Sequence, residues 1–219
     1  MNPATALWRA AAGRGPGGAG RAPTTTLGRR PPPEAAAGIG LWVFIGVAST
    51  LFALFGAAYV MRMDGSDWSP IALPWQLALS TALLLAGSAT LQRASNAARA
   101  GRPARRALLA GGVATLAFLA SQLWAWQALL AAQVTLTGNP AASFFYLLTA
   151  MHGLHVLGGL VAWGWAARSA WSTADGADAP RRIALCARYW HFLLAVWGLL
   201  YATLAGLTPE LVRYLCGSA

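Results

Sequence analysis

Four stretches of this chain contain no charged side chain, and each is long enough to cross a lipid bilayer as a helix. They are residues 35–61, 68–92, 107–167 and 189–209. A membrane-spanning α-helix needs about 20 consecutive, mostly apolar residues, and inside the bilayer the backbone must satisfy its own hydrogen bonds. The sequence therefore predicts an integral membrane protein of the all-α class.

The overall composition agrees with a membrane protein. Of the 219 residues, 57% are hydrophobic and only 10% are charged, whereas soluble domains carry about 25% charged residues. The net charge of +10 comes entirely from arginine, and the arginines cluster between the apolar stretches. This placement is typical of charges that set membrane topology, so we expect membrane lipids and no nucleic acid among the partners.

Helix-breaking residues divide the uncharged stretches into five predicted spans. The longest stretch exceeds one span, and the turn Thr137–Pro140 (TGNP) interrupts it, because Gly, Asn and Pro punctuate helices. Thr208 and Pro209 follow the last span, and as N-cap and first helical residue they predict a short terminal helix. The five spans are predicted at about 38–61, 71–92, 107–133, 141–168 and 187–207.

Both ends of the chain fall outside the predicted five-helix membrane domain, residues 38–207. Residues 1–37 are rich in Arg, Pro and Gly and are predicted to be disordered, because they cannot bury an apolar core. Residues 208–219 form a short C-terminal tail. Cys186 and Cys216 are predicted to lie on opposite sides of the membrane, roughly 45 Å apart, and therefore to be free thiols.

The distribution of arginines over the loops predicts the orientation in the membrane. The N-terminal segment and the loops after the second and fourth spans carry most of the arginines, whereas the opposite ends of the spans carry few. Short cytoplasmic loops of membrane proteins are enriched in Arg and Lys. The N-terminus is therefore predicted to be cytoplasmic and the C-terminus to lie outside.

The predicted spans contain three histidines and no carboxylate. Ion-coupled transporters and pumps place carboxylates or lysines within the membrane as relays, so the sequence disfavours both classes. His152 and His155 share one face of the fourth span, because they are three residues apart on a helix. His191 lies near the start of the fifth span.

The residues alone leave three interpretations of these histidines open. In the first, the imidazoles hydrogen-bond neighbouring helices and fix their packing. In the second, His191 pairs with His152 or His155 as the two axial ligands of a haem b, which would make the chain a membrane cytochrome. The third is a metal site, which is poorly supplied with ligands when no carboxylate accompanies the histidines.

Small residues and span-end arginines suggest further contacts. Small side chains recur at every fourth position of the fourth span, which predicts a packing ridge for another helix, either of this chain or of a partner subunit. The ridge comprises Gly158, Ala162, Ala166 and Ala170. Arg62 and Arg168 lie at the ends of two spans, where their side chains either reach lipid phosphates or act only as topology charges.

The stretch around the paired histidines reads FFYLLTAMHGLHVLGG, residues 144–159. Other patterned stretches are GLWVF at 40–44, ALSTALLLAGSAT at 78–90, and YWHF at 189–192 followed by Trp197. In order and spacing, these stretches resemble subunit III of haem-copper terminal oxidases of the cytochrome c oxidase type. The resemblance covers residues 38–205 and is to a short, five-helix member of that family.

The resemblance implies a chain without a redox centre in a bacterial-type inner (plasma) membrane. Haem and copper would belong to subunits I and II of a respiratory complex that reduces oxygen to water and translocates protons. Subunit III would pack on subunit I, hold phospholipid and support sustained turnover. No catalytic, cofactor-binding or metal-binding residue is then expected here. The candidates for structural or lipid contacts are His152, His155, His191, Trp190, Arg62 and Arg168.

Three positions depart from the family pattern. Carboxylates that the family commonly places inside the membrane are replaced by Ala48, Ala125 and Leu194. Roles of the family that depend on these carboxylates therefore do not transfer to this chain. The departures are also compatible with a second identity for the chain, an accessory homologue that accompanies a nitric oxide reductase. The sequence does not distinguish cytochrome c from quinol as the electron donor of the complex.

Overall fold

The structure, a computed structural model, describes residues 33–172 and 178–216. Most of the N-terminal segment for which disorder is predicted, and the end of the C-terminal tail, lie outside the described residues. Residues 33–37 of the N-terminal segment are helical, and the described residues from 37 onward group into one compact unit.

All regular structure in the described ranges is helical, which confirms the predicted all-α class. Five long helices are followed by a short one. They are α1 Pro33–Arg62, α2 Gln76–Arg99, α3 Arg105–Ala131, α4 Pro140–Trp171, α5 Ala179–Gly206 and α6 Pro209–Cys216.

Four of the described helices are long and apolar enough to cross a membrane. They are Ala36–Arg62 of α1 and the whole of α3, α4 and α5. Helix α2 has 24 residues, but Gln, Ser, Thr and Asn side chains lower its hydropathy. The second predicted span, at 71–92, therefore stays a prediction.

Local capping explains where two helices begin. At α4, the side chain of Asn139 accepts a hydrogen bond from the backbone N–H of Ala141, and Pro140 occupies the first turn. At α6, the backbone N–H of Leu211 donates to Thr208 Oγ1 at 3.3 Å. Both caps satisfy backbone donors that a helix start leaves free, which confirms the predicted break at TGNP and the predicted short terminal helix.

Glycines allow α3 to pack closely against its neighbours. A Cβ added at Gly111 would lie 2.6 Å from Leu91 of α2, and one added at Gly112 would lie 2.3 Å from the Trp163 ring of α4. The Trp163 indole N–H also donates to the Leu108 carbonyl at 2.9 Å. Leu91 and Leu108 are completely buried, so these contacts belong to the main core.

Tryptophan–threonine hydrogen bonds link the helices within this core. The indole N–H of Trp190 in α5 donates to Thr115 of α3 at 3.0 Å. The indole of Trp197 in α5 donates to Thr81 of α2 at 2.9 Å. A third bond joins Trp126 of α3 to Thr149 of α4 at 3.1 Å. Each bond satisfies an indole donor that has no water available in an apolar core.

Helix α1 contacts the other helices mainly through large side chains. Phe52 and Tyr59, with Met63 directly after the helix, are buried in a second apolar cluster with Leu148 of α4 and Val196 of α5. Only 11% of the most apolar stretch of α1 is buried, against 50% for α5. The remaining surface of α1 is apolar and faces outward.

Candidate functional site

An apolar groove of about 800 Å³ lies between α1, α4 and α5. Its volume falls within the range of roughly 300–1,000 Å³ that is typical of small-molecule sites. Leu41 and Phe44 line it from α1, Trp165 from α4, and Leu185 and Tyr189 from α5. A groove with this lining suits a long apolar ligand.

Small side chains leave the space that the groove occupies. Gly158, Ala162 and Ala166, three of the four residues of the predicted ridge, line the groove on α4. Gly40 lines it on α1. The fourth ridge residue, Ala170, does not line the groove, and its carbonyl accepts a hydrogen bond from Arg105 Nε at 3.0 Å. The ridge is therefore covered within the chain at one end and borders open space over most of its length.

One arginine, Arg182, lies in the lining of the groove. Its guanidinium is 3.8 Å from the carboxylate of Asp178, and both side chains are about half exposed (43% and 54%). The sequence identified Arg182 only as a topology charge. No local signal distinguishes it from the adjacent Arg181, because its position depends on how α5 packs against α1 and α4.

The two arginines that the sequence selected lie elsewhere. Arg168 is exposed in the last turn of α4 and is not part of the groove lining. Arg62 ends α1 and donates a hydrogen bond of 2.5 Å to Asp67. This hydrogen bond holds the pKa of the Asp67 carboxyl below its usual value. A Cβ on Gly65 would meet the Arg62 guanidinium, so this flexible side chain would have to move if another residue replaced the glycine.

The paired histidines of α4 point into different surroundings. His152 is completely buried, with its ring 5.3 Å from that of Trp197 and 5.8 Å from that of Phe118. His155 is partly buried and bonds the Met151 carbonyl of its own helix through Nδ1 at 2.7 Å. Its ring lies 5.2 Å from that of Phe52 in α1. Both rings pack against neighbouring helices, but neither makes the predicted hydrogen bond to another helix. His155 bonds its own helix, and both ring nitrogens of the buried His152 have no hydrogen-bond partner among the described residues.

The third histidine, His191, contacts α2. Its Nδ1 lies 2.6 Å from Ser88 Oγ, and its Nε2 lies 2.9 Å from Gln92 Oε1. Both ring nitrogens therefore have partners on α2. An axial haem ligand needs one ring nitrogen free for the iron, so this arrangement disfavours a haem between His191 and the histidines of α4.

Trp190 is completely buried and explains a glycine of the histidine-containing motif. A Cβ on Gly159 would lie 2.8 Å from two ring carbons of Trp190 and 3.1 Å from Tyr189. The ring occupies this space in the core, so Trp190 is a packing residue between α5, α4 and α3.

Among the described residues, no group of three or more His, Cys, Asp and Glu side chains is arranged to hold a metal ion.

The positions that depart from the family pattern are mostly inside the protein. Ala48 of α1 is 2% exposed and Ala125 of α3 is fully buried, while Leu194 of α5 is half-buried. Ala125 lies one turn from Gln122, whose amide donates to Ser80 Oγ at 2.8 Å. Uncharged side chains at these positions avoid the cost of burying a carboxylate.

Comparisons with known proteins agree with the predicted family. Residues 36–206 match the family model for cytochrome c oxidase subunit III. A probable cytochrome c oxidase subunit 3 of Nocardia farcinica is 32% identical over 178 residues, which cover 76% of this chain and 85% of the relative. The corresponding protein of Mycobacterium leprae is 31% identical over 173 residues, covering 76% and 85%. The cytochrome bo(3) ubiquinol oxidase subunit 3 of Pseudomonas aeruginosa is 28% identical over 165 residues, covering 72% and 78%. The chain therefore belongs to the cytochrome c oxidase subunit III family.

Proposed function

We propose that this chain is the accessory subunit III of a respiratory haem-copper oxidase. It stabilises the large subunit, subunit I, which with subunit II carries the haem and copper centres, and it binds phospholipid in its groove. The observation that carries this proposal is the family match over residues 36–206, the same part of the chain that forms the groove. Relatives named as cytochrome c oxidase and ubiquinol oxidase subunits support oxygen as the substrate of the complex.

The proposal includes five membrane spans, with α2 as the second. Its 24 residues extend about 36 Å at 1.5 Å per residue, enough for a hydrocarbon core of about 30 Å. Leu84 and Leu91 are fully buried, and Ser80 bonds Gln122 of α3 within the core. Polar side chains that face a bundle interior are compatible with a membrane span. With five spans, the arginine-rich loops support a cytoplasmic N-terminus and an outside C-terminus in a bacterial plasma membrane.

Phospholipid fits the chemistry of the groove. The apolar walls formed by Leu41, Phe44, Val161 and Trp165 suit acyl chains. Arg182 lies in the same lining and is half exposed, so a lipid phosphate can reach its guanidinium in competition with the carboxylate of Asp178 at 3.8 Å. Arginine binds phosphates strongly because its planar group donates two parallel hydrogen bonds.

The chain itself carries no redox or catalytic group in this proposal. The hydrogen bonds of His191 to Ser88 and Gln92 support a structural role for that imidazole. The uncharged residues at positions 48, 125 and 194 support a subunit that takes no direct part in proton transfer. The role that remains is to hold lipid and the catalytic subunit together.

The test is purification of the tagged chain from native membranes in mild detergent, followed by partner identification and absorbance spectra. We expect a large haem-copper subunit to co-purify and to reduce oxygen with either cytochrome c or quinol. A co-purifying subunit that reduces nitric oxide would assign the chain to the other complex. A haem spectrum that stays with the chain after the partners are stripped would overturn the non-redox role.

A further inference from the structure

Helix α1 is anchored in its second part and only lightly held in its first part. Among its described residues, every buried side chain lies at or beyond Ala48. Between residues 37 and 47 all side chains are exposed or half-buried, and the half-buried Leu41 and Ile45 pack against the edge of the main core. The change from a lightly held to an anchored helix therefore falls directly before Ala48.

A weak point of the helix coincides with this change in burial. A Cβ added at Gly46 would meet no atom within 4 Å, so close packing does not require a glycine there. One turn later, the hydroxyl of Thr50 donates to the Gly46 carbonyl at 3.0 Å. Glycine lowers the stability of a helix, and a hydroxyl bonded to the carbonyl four residues earlier often bends one. Gly46 and Thr50, called here the hinge pair, therefore make α1 easier to bend where its anchored part begins.

Side-chain contacts fasten the first part of α1 to α5. The Arg188 guanidinium lies over the Trp42 ring, 5.8 Å from the ring centroid. The Phe44 ring lies 5.8 Å from the ring of Tyr189. A cation above an indole face is attracted to it, more strongly where water is excluded. Both contacts join side chains and not backbones, so they can separate while α1 remains a helix.

The lightly held part of α1 also forms one wall of the groove. Leu41 and Phe44 line the groove from this part of the helix. Gly46, Trp42 and Arg188 do not belong to the lining. A movement of α1 about the hinge pair would therefore change access to the groove, and the residues that control this movement lie outside the surface that contacts a ligand.

We propose that residues 37–45 form a lid over the groove, which turns about Gly46 and Thr50 and is held shut by the contact between Arg188 and Trp42. When the lid moves away from α5, a phospholipid passes sideways between the bilayer and the groove, and when the lid is shut the lipid is retained. This inference rests on the proposed function, because it describes how the proposed lipid site opens. The lid sets the rate of lipid exchange, whereas the groove lining sets how much lipid is bound at equilibrium.

The first experiment measures how fast the groove exchanges its lipid. The purified complex is loaded with deuterated phosphatidylglycerol and incubated in mild detergent with an excess of the unlabelled lipid, while mass spectrometry follows the deuterated lipid that remains. The part of this lipid that Ala162→Phe lacks belongs to the groove. We expect Gly46→Ala to slow the exchange several-fold, because the helix becomes stiffer, and Trp42→Leu to accelerate it several-fold, because the contact with Arg188 is lost. The amount of lipid bound at equilibrium should stay at the wild-type level in both variants.

The matched control for the hinge pair is Gly56→Ala. A Cβ added at Gly56 also meets no atom within 4 Å, but this glycine lies in the anchored part of α1, so its exchange rate should equal that of the wild type. Equal rates in the wild type, Gly46→Ala and Trp42→Leu would overturn the lid, and so would an effect of Gly56→Ala as large as that of Gly46→Ala. Equal lipid in the wild type and Ala162→Phe would instead overturn the lipid-binding part of the proposed function.

A second measurement detects the lid without relying on lipid exchange. Pairs of spin labels are attached at exposed positions of a chain whose two native cysteines are replaced by alanine. The pair Val43→Cys and Leu157→Cys joins the lid to α4, whereas the pair Leu54→Cys and Leu147→Cys joins the anchored part of α1 to the same helix. We expect a broad or two-peaked distribution of distances for the first pair and a single narrow peak for the second. A single narrow peak for both pairs would overturn the lid, whether or not the groove holds lipid.

Discussion

Helix α3 and helix α1 are held against their neighbours in different ways. Helix α3 packs closely through Gly111 and Gly112 and through indole–hydroxyl hydrogen bonds, so a methyl group added at Gly112 has no space. Helix α1 touches α4 and α5 through the rings of Phe44 and Phe52, and beside them a groove of about 800 Å³ remains. The close packing of α3 therefore fixes how the helices of the bundle are arranged, whereas the looser contact of α1 leaves room for a ligand.

The largest expected effect is that of a single methyl group in the close-packed region. Gly112→Ala places a Cβ 2.3 Å from the rigid Trp163 ring, so we expect a loss of about 1–3 kcal/mol in unfolding free energy, the usual cost of overpacking. Gly46→Ala adds the same group where no atom lies within 4 Å and should be neutral or stabilising, because alanine favours helix by up to about 1 kcal/mol. Thermal unfolding in detergent measures both changes. Equal effects at the two positions would contradict the comparison.

The next effect concerns the hydrogen bond between α5 and α3. Trp190→Phe removes the indole donor to Thr115 and leaves a small cavity, so we expect destabilisation by about 1–2 kcal/mol. Trp165→Phe, at a tryptophan that is 68% exposed in the groove, should change stability by less than about 0.5 kcal/mol. A double-mutant cycle with Thr115→Val isolates the pairwise energy, and a coupling near zero would mean that the hydrogen bond itself contributes nothing.

A larger side chain in the groove should reduce the amount of bound lipid and leave the stability of the protein nearly unchanged. Ala162→Phe fills space beside α1, so we expect several-fold less phospholipid to be retained through purification, measured by mass spectrometry of extracted lipid. Because the ring enters open space, the unfolding temperature should stay close to that of the wild type. Undiminished lipid in this variant would show that the retained lipid binds elsewhere.

A smaller effect is expected from the arginine in the groove. Arg182→Gln removes the guanidinium proposed to bind a lipid phosphate, so retained anionic phospholipid should fall more than retained zwitterionic phospholipid. Arg168→Gln is the matched control, because Arg168 is exposed on α4 but does not line the groove. An equal decrease in both variants would indicate a general charge effect and not a site.

The smallest effect concerns the end of α1. The Arg62 hydrogen bond lowers the pKa of Asp67 in the folded protein, so its stabilisation is complete above the unfolded pKa of about 4. It is lost as the pH falls through the lower folded value. Because both side chains are exposed, the decrease should be small and screened by salt. The unfolding temperature of wild type and Asp67→Asn, followed from about pH 6 to about pH 2, should converge at the acidic end. If the unfolding temperatures of the two proteins differed by the same amount at every pH, the result would contradict a stabilising ion pair between Arg62 and Asp67.

The sequence predicted the helices well because their signals are local. Asn139 and Pro140 start α4, and Thr208 and Pro209 start α6, as the capping rules require. The status of α2 as a span was harder to predict, because its hydropathy is lowered by polar side chains such as Ser80 and Gln92, whose partners lie on other helices.

The candidate site was predicted only in part. Regular spacing identified the small residues of α4, three of which line the groove. Spacing did not distinguish Arg182 from Arg168, because proximity to α1 is set by tertiary packing. For the same reason, the family motif placed His191 near Trp190 along the chain but did not indicate that one faces α2 and the other the core.

Some tryptophans are buried and others are exposed, and this difference affects how lipid quenches their fluorescence. Trp190 and Trp197 are almost completely buried and bond threonine hydroxyls, whereas Trp42 and Trp165 are 59% and 68% exposed. A brominated acyl chain quenches indole fluorescence only when it touches the ring. Of these four rings, Trp165 lines the groove and Trp42 lies on exposed α1, so both should be quenched while the two buried rings keep emitting. Because Trp75, Trp124 and Trp171 are exposed as well, lipid in the groove is measured by the part of the quenching that Trp165→Phe removes, and the two buried rings serve as the internal reference.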